Sequence, residues 1–290
     1  MSTNAEDALA SVSVMRMKEE TDYRCADYIT QFSQSHPHEY GVDEICRKLM
    51  AEWCIKVVDR CAFTRDTAAI AMNMLDRFLM TEQGLCAMKD RNIFQLASMT
   101  CLYTAIKVHE SEALQPKTIV QLSRGIFSVK EIEEMEVKIL FAIKWRTSPP
   151  TALAFVQHFL KAVPHGSLNG GDHKVIFELA KIQTELTLSD YSYVCKNASS
   201  IAYAALANSI AFLEMKGGKG FLEVLAILIE IDEEEVFMIQ KHFEKHVQDY
   251  DVFAVKTVSQ QAQSEDSPKT TASTSVGGQS SPREVRVFDQ

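Results

Sequence analysis

Two charged side chains stand where a helical pattern places apolar ones. At about 100° per residue, Leu96, Met99, Tyr103 and Ile106 form one stripe of the segment 89–108, and Lys107 falls inside it. In the segment that opens at Ser128, Ile132, Met135, Ile139 and Ile143 form the stripe, and Glu136 falls inside it. A lone charge on a core-facing stripe is costly unless it is paired or reaches solvent. Two outcomes satisfy that constraint. Lys107 and Glu136 pair across two helices as a half-buried salt bridge, or both are offered to polar backbone groups of a partner protein.

Catalytic constellations are not found. Gly217-Gly218-Lys219-Gly220 lacks the G-x-x-x-x-G-K-[ST] spacing of a phosphate loop and reads as a turn between helices. His242 and His246 stand four apart in the order H-F-E-K-H, which fits a solvated helix face better than a zinc site. Nucleophile-elbow and kinase signatures are absent. No catalytic residue, metal or cofactor is assigned, and the chain reads as no enzyme. The acidic run Glu230, Asp232, Glu233, Glu234 and Glu235 suits the start of a helix, where carboxylates meet the helix dipole. Ser267-Pro268 and Ser281-Pro282 are candidate proline-directed phosphorylation sites. The seven cysteines form no C-x-x-C, and Cys46, Cys54 and Cys61 fall at helical spacings in apolar segments. They read as reduced, buried, intracellular thiols.

The elements that must position these residues are helices almost throughout. Sustained alternation is absent, so no strand is expected. One or two N-terminal helices over 5–33 place Cys25, Ile29 and Phe32 on one face. Five helices follow: 42–60, a second opening at Arg65-Asp66-Thr67, 89–108, a short one at Pro116, and one capped by the S-V-K-E box at Ser128. Ser148-Pro149-Pro150 is a break in which Ser148 can cap the next helix. Five more helices are expected near 150–162, 173–190, 196–214, 220–229 and 232–248. The architecture is all-α: an N-terminal segment (1–41), two tandem five-helix repeats (42–147 and 148–255) and a tail (256–290). The tail holds eleven Ser or Thr and no Trp, Tyr or Leu, too little apolar surface to offset chain entropy, so it is expected to be disordered.

Length and charge fit this organisation. With 290 residues the chain suits about two domains. Its 39 acidic against 30 basic side chains give a net charge of −9, which argues against nucleic-acid binding by phosphate neutralisation. The longest uncharged run, Asn197–Leu213, is too short and too polar to span a membrane and reads as a buried helix. The N-terminal sequence shows neither a basic nor an apolar signal region.

Several stretches resemble the cyclin family. Cys46-Arg47-Lys48-Leu49-Met50-Ala51-Glu52-Trp53 is similar to the opening of the cyclin box, with Arg47 and Trp53 six residues apart. Ala71-Met72-Asn73-Met74-Leu75-Asp76-Arg77-Phe78-Leu79 resembles its second helix, in which L-D-R-F-L is characteristic. Gln95-Leu96 with Ala105-Ile106-Lys107 resembles the third helix, and Met135-Glu136 with Leu140 and Lys144-Trp145 the fifth. The likeness continues more weakly into the second repeat at Phe155–Leu160. The second-helix signature, Val14–Glu20 and the overall length look most like D-type cyclins, although the L-x-C-x-E motif of many of these is absent.

The resemblance implies a regulatory subunit of a cyclin-dependent kinase, acting in cell-cycle entry, intracellular in nucleus and cytoplasm. Arg47, Asp76 and Arg77 would then be structural residues of the cyclin box. Lys107 and Glu136, 29 positions apart as in the family, would bind backbone groups flanking the kinase αC helix. Val108 stands where a larger group is common, and Glu110 keeps an acid one place late after His109. Kinase substrates or inhibitors are further expected partners. Cys46, Leu49, Met50, Trp53 and Gln95 match the family's Arg-x-Leu docking patch, but Lys56 replaces its acidic residue, and the apolar members suit core as well as groove. Two other readings stay open: a cyclin-fold scaffold, and a transcription-associated protein with no cell-cycle kinase.

Overall fold

The structure, a computed structural model, describes residues 3–39, 41–162, 170–213, 218–229 and 231–249. Those residues form thirteen α-helices joined by turns, with no strand among them. Two helices, α1 (Thr3–Glu20) and α2 (Tyr28–Ser35), precede the first repeat. That repeat contains α3 (Glu44–Arg60), α4 (Arg65–Leu79), α5 (Leu85–Lys89), α6 (Arg91–His109), α7 (Pro116–Leu122) and α8 (Val129–Ala142). The second contains α9 (Ala152–Ala162), α10 (Gly170–Leu186), α11 (Ala198–Phe212), α12 (Gly218–Ile229) and α13 (Glu233–Asp249). The expected tail with Ser267 and Ser281, and also Gly217, Glu230 and the side chain of His246, lie outside the described residues.

Side-chain caps set most helix starts by satisfying N–H groups that have no partner within the helix. Asp43 accepts from Cys46 N–H at 2.8 Å and Asp90 from Asn92 N–H at 2.7 Å. The capping box at Ser128 forms in full with Glu131. Asp232 accepts from Glu235 N–H at 3.0 Å, leaving Glu233, Glu234 and Glu235 in the first turn of α13. Three boundaries differ from the sequence reading. The cap of α4 is Thr64, just before the expected stretch. The cap of α9 is Thr151 rather than Ser148: Ala154 N–H donates to its Oγ1 at 3.1 Å. Each proline biases the residue before it away from helical backbone, so Ser148 and Pro149 stay outside the helix. Gly218–Gly220, read as a turn, opens α12.

The short helix α5 has too few residues to show a period, and so escaped the pattern. It enters through Gly84, where a Cβ would lie 2.1 Å from the Phe78 carbonyl oxygen; only glycine fits.

Each repeat closes around one helix buried on nearly all sides. In the first this is α6, which buries every residue from Leu96 to Ile106. In the second it is α11, the uncharged run, which buries ten residues including Ser199, Ser200 and Ser209. The N-terminal segment divides between the two cores. Tyr28 and Phe32 of α2 join the first, whereas Val12 of α1 joins the second. At the far end of α1, Glu19 accepts from Ser199 N–H at 3.0 Å and Ser199 Oγ at 2.5 Å, at the start of α11.

The repeats are fastened by a buried ion pair. Arg47 of α3 meets Asp76 of α4 through two parallel bonds of 2.8 Å. Tyr28 Oη donates to the same carboxylate at 2.8 Å, and Arg47 Nη1 donates to the Leu188 carbonyl at 2.9 Å, in the turn after α10. Four segments therefore converge on one guanidinium–carboxylate pair with its donors and acceptors largely used.

Two predictions follow from this packing. Removing one partner strands the other charge in the core, so Asp76→Asn and Arg47→Met should each lose about 3–5 kcal/mol in urea unfolding. The double replacement Arg47→Met/Asp76→Leu should lose less than the sum, and equal additive losses would refute the pairing. The second concerns pH. Burial, opposed by the Ser199 bonds, raises the Glu19 carboxyl from its ordinary 4.5 to about 7. The folded chain thus holds this proton more tightly than the unfolded one. The contribution is full below about pH 4.5 and is lost as pH rises through about 7. Glu19→Gln should flatten stability measured from about pH 5 to pH 8.

Candidate partner-binding site

The last turn of α6 and the middle of α8 carry Lys107 and Glu136. Lys107 Nζ lies 2.5 Å from Glu136 Oε1, with side-chain exposures of 41% and 12%. The carboxylate also lies 3.0 Å from Thr104 Oγ1, whose single proton is shared with the Thr100 carbonyl at 2.9 Å. The ammonium sits 5.2 Å from the centre of the Tyr103 ring. Lys107 is not within the core stripe, as the wheel suggested, but at its solvent edge. Ile106 is fully buried, and the next two residues of α6 are exposed as the helix leaves the core.

The two helices that carry this pair also expose apolar side chains. Val108 and Val137, the sequence neighbours of Lys107 and Glu136, are exposed. So is Phe141, one turn beyond Val137, against whose ring Trp145 packs edge-on at 5.8 Å. A T-shaped aromatic pair open to solvent is a ready contact surface. Sequence reading named Val108 but missed Val137, Phe141 and the surface role of Trp145. The signal was present: Phe141 lies off the apolar stripe of α8, where an aromatic has no core to fill.

Trp145 is aimed by strain. Lys144 and Trp145 both take left-handed backbone, with φ of 56° and 60°, which bulky residues rarely adopt. Arg77 brackets this turn by donating to the Ile143 carbonyl at 3.2 Å and the Arg146 carbonyl at 2.8 Å. The Arg77 guanidinium itself lies over the Tyr23 ring at 4.5 Å.

Other residues singled out from the sequence have different surroundings. Glu110 commits its carboxylate to the start of α4, accepting from Thr64 N–H at 3.0 Å and Thr67 Oγ1 at 2.5 Å. His109 Nε2 donates to the Thr147 carbonyl at 2.9 Å. On α3, Cys46, Met50 and Trp53 are half-buried against the first core, and Leu49 is exposed. Gln95 of α6 is half-buried, and Lys56 is exposed. Of the seven cysteines expected to be buried, Cys25, Cys54 and Cys101 are, whereas Cys46, Cys61 and Cys86 are half-buried and Cys195 is exposed; burial pushes the Cys54 thiol up to about 12.

Comparison with known proteins bears on both repeats. Residues 11–148 match the family model "Cyclin, N-terminal domain" and residues 150–276 match "Cyclin, C-terminal domain". The chain is 29% identical over 208 residues to the G2/mitotic-specific cyclin-B2 of Anguilla japonica, covering 72% of this chain and 49% of that protein. It is 26% identical over 176 residues to the G1/S-specific cyclin-D1 of Homo sapiens, covering 61% and 57% respectively. The chain thus spans about half the length of these curated relatives. The X-ray structure of a viral cyclin from herpesvirus saimiri superimposes with a TM-score of 0.59 at 16% identity, over 81% of this chain and 95% of that one. At that identity the likeness is one of fold.

A half-exposed ion pair adds little to stability because water competes for both charges. A double-mutant cycle on Lys107→Ala and Glu136→Ala, read by urea unfolding, should give a coupling below about 1 kcal/mol. A coupling of several kcal/mol would mark the pair as a fold anchor instead.

Proposed function

Because the chain belongs to the cyclin family, with that family's two domains in tandem, we propose that it is the regulatory subunit that binds and activates a cyclin-dependent serine/threonine kinase. The observation that carries this reading is the half-exposed Lys107–Glu136 pair, with exposed Val108, Val137 and Phe141 on the same two helices and exposed Trp145 in the turn after α8. An ammonium has three donors, and one of them meets Glu136. The others remain available to carbonyl groups of a docked helix, while the aromatic pair offers that helix an apolar seat.

The chain's contribution is a differential contact. A surface that fits the inward position of the kinase αC helix better than the outward one shifts the kinase toward its active state. The kinase supplies catalysis, nucleotide and magnesium, and this chain supplies no catalytic group. The second-helix motif supports a D-type-like role in G1 or at the G1/S boundary. The similarity to both cyclin-B2 and cyclin-D1 leaves that choice to experiment. Nucleus and cytoplasm are the proposed locations. Phosphorylation of Ser267 and Ser281 is the proposed control on lifetime.

The test is reconstitution with a panel of purified cyclin-dependent kinases, assayed on histone and retinoblastoma-type substrates. The wild-type chain should bind and activate at least one of them. Lys107→Ala/Glu136→Ala should weaken that complex by roughly 2–5 kcal/mol with its fold intact. Equal activation by wild type and double variant would move the interface elsewhere. Activation of no kinase would favour the scaffold reading.

A further inference from the structure

Arg77 is a buried cation without a buried anion. It is 5% exposed, and among the described residues no carboxylate pairs with it. Burial pushes its guanidinium below the usual range. A charge held in this way is costly unless polar groups surround it. Three of those groups are acceptors: the Ile143 carbonyl at 3.2 Å, the Arg146 carbonyl at 2.8 Å and Asn73 Oδ1 at 3.4 Å. The fourth is the Tyr23 ring, whose centre lies 4.5 Å from the guanidinium carbon. An aromatic face attracts a cation most strongly where water is excluded.

Tyr23 comes from the far end of the sequence and is itself held. Its N–H donates to the Lys18 carbonyl at 3.1 Å, which ties it to the last turn of α1. Its carbonyl accepts from Asn73 Nδ2 at 3.3 Å. The residue before it, Asp22, pairs with the Arg146 guanidinium. Two consecutive residues after α1 therefore reach both arginines that bear on the turn after α8. Tyr23 covers the guanidinium of Arg77, and Asp22 takes that of Arg146, whose carbonyl Arg77 holds. The left-handed Lys144-Trp145 step lies between the two carbonyls that Arg77 grips. A step of that kind persists only where its surroundings over-determine it. The anchor of the clamp is fixed as well, because Glu19 and Arg16 hold the end of α1 to Ser199 and to the Ile229 carbonyl of the second repeat.

We propose that Asp22 and Tyr23 are positioning residues for the proposed partner-binding surface: they fix Arg77 and Arg146, and these fix the Lys144-Trp145 step and the direction of Trp145. What Trp145 contacts rests on the kinase-activator reading; how Trp145 is held does not. Neither Asp22 nor Tyr23 has to touch the partner. Their effect is to keep the exposed Phe141–Trp145 pair in one arrangement, which spares a docking partner the cost of ordering it. The ring of Tyr23 acts through its face and not through its hydroxyl, so phenylalanine should replace it and an aliphatic side chain should not.

The chain has two tryptophans, Trp53 and Trp145, so Trp53→Phe leaves Trp145 as sole reporter. Time-resolved fluorescence anisotropy of that full-length chain reads the local motion of the Trp145 ring. Asp22→Ala/Tyr23→Leu should enlarge the fast component, and Tyr23→Phe should leave it as it is. With Trp53 restored, the double variant should bind the activated kinase about tenfold more weakly, and Tyr23→Phe should bind as wild type. Circular dichroism confirms the fold; if the double variant loses helix, Asp22→Ala alone, which removes only a half-exposed ion pair, takes its place. The proposal is overturned if Trp145 moves no more freely in the variant, or if Tyr23→Phe frees it as fully as Tyr23→Leu. It is equally overturned if Trp145 is freed while a kinase that the wild-type chain activates still binds with wild-type affinity. Should the wild-type chain bind no kinase, the activator reading fails, and the anisotropy alone decides whether Asp22 and Tyr23 position Trp145.

Discussion

The Arg47–Asp76 pair is the constraint on which the arrangement of the chain rests. Taking both charges out of water is expensive, and their attraction repays the cost only when the remaining donors and acceptors are also satisfied. Here those duties fall to Tyr28 from α2 and to the Leu188 carbonyl from the turn after α10. A displacement of any one segment would leave part of a buried ion pair unmet. The pair therefore acts less as a source of net stability than as a register. It fixes how the N-terminal helices, the first repeat and the start of the second repeat meet, while apolar burial around α6 and α11 supplies the bulk of the driving force.

The same helix carries that register to the proposed partner-binding surface. Asp76 and Arg77 are consecutive on α4 and so point about 100° apart. One faces the inter-repeat seam, and the other grips the turn after α8 through the carbonyls of Ile143 and Arg146. The left-handed Lys144-Trp145 step persists because Arg77 holds both of its ends, and its product is a tryptophan packed on Phe141 at the surface. The L-D-R-F-L signature thus has a mechanical content. Asp76 secures the repeats, Arg77 aims the aromatic surface, and Leu75, Phe78 and Leu79 bury the helix that joins the two tasks.

Helix periodicity and capping chemistry made most of this fold legible. The all-α class, the expected helices of both repeats, the Ser128 box and the largely buried uncharged run are properties of local sequence. What stayed hidden depends on depth or on distant partners. A wheel gives the direction of Lys107 but not how far α6 projects beyond the core, so a solvent-edge lysine looked like one in the stripe. Thr64 and Thr151 displaced the expected caps because adjacent prolines or a tertiary tie from Glu110 decided where each helix could begin. Glu110 resembled a surface acid of the interface, yet its partners lie more than forty residues earlier in the chain.

Mutual pairing of Lys107 and Glu136 does not remove them from recognition. A buried pair with every site filled, such as Arg47–Asp76, is closed to newcomers because opening it strands charge in the core. A half-exposed pair is different: water already competes for its ammonium, so redirecting a proton toward another carbonyl costs little. Glu136, largely buried and hydrogen-bonded to Thr104, orients the ammonium before a partner arrives. Such preorganisation lowers the side-chain entropy lost on docking. The two ion pairs differ in geometry and in exposure, and their consequences are opposite. One holds the fold together, and the other is stable enough to wait in position and weak enough to be shared.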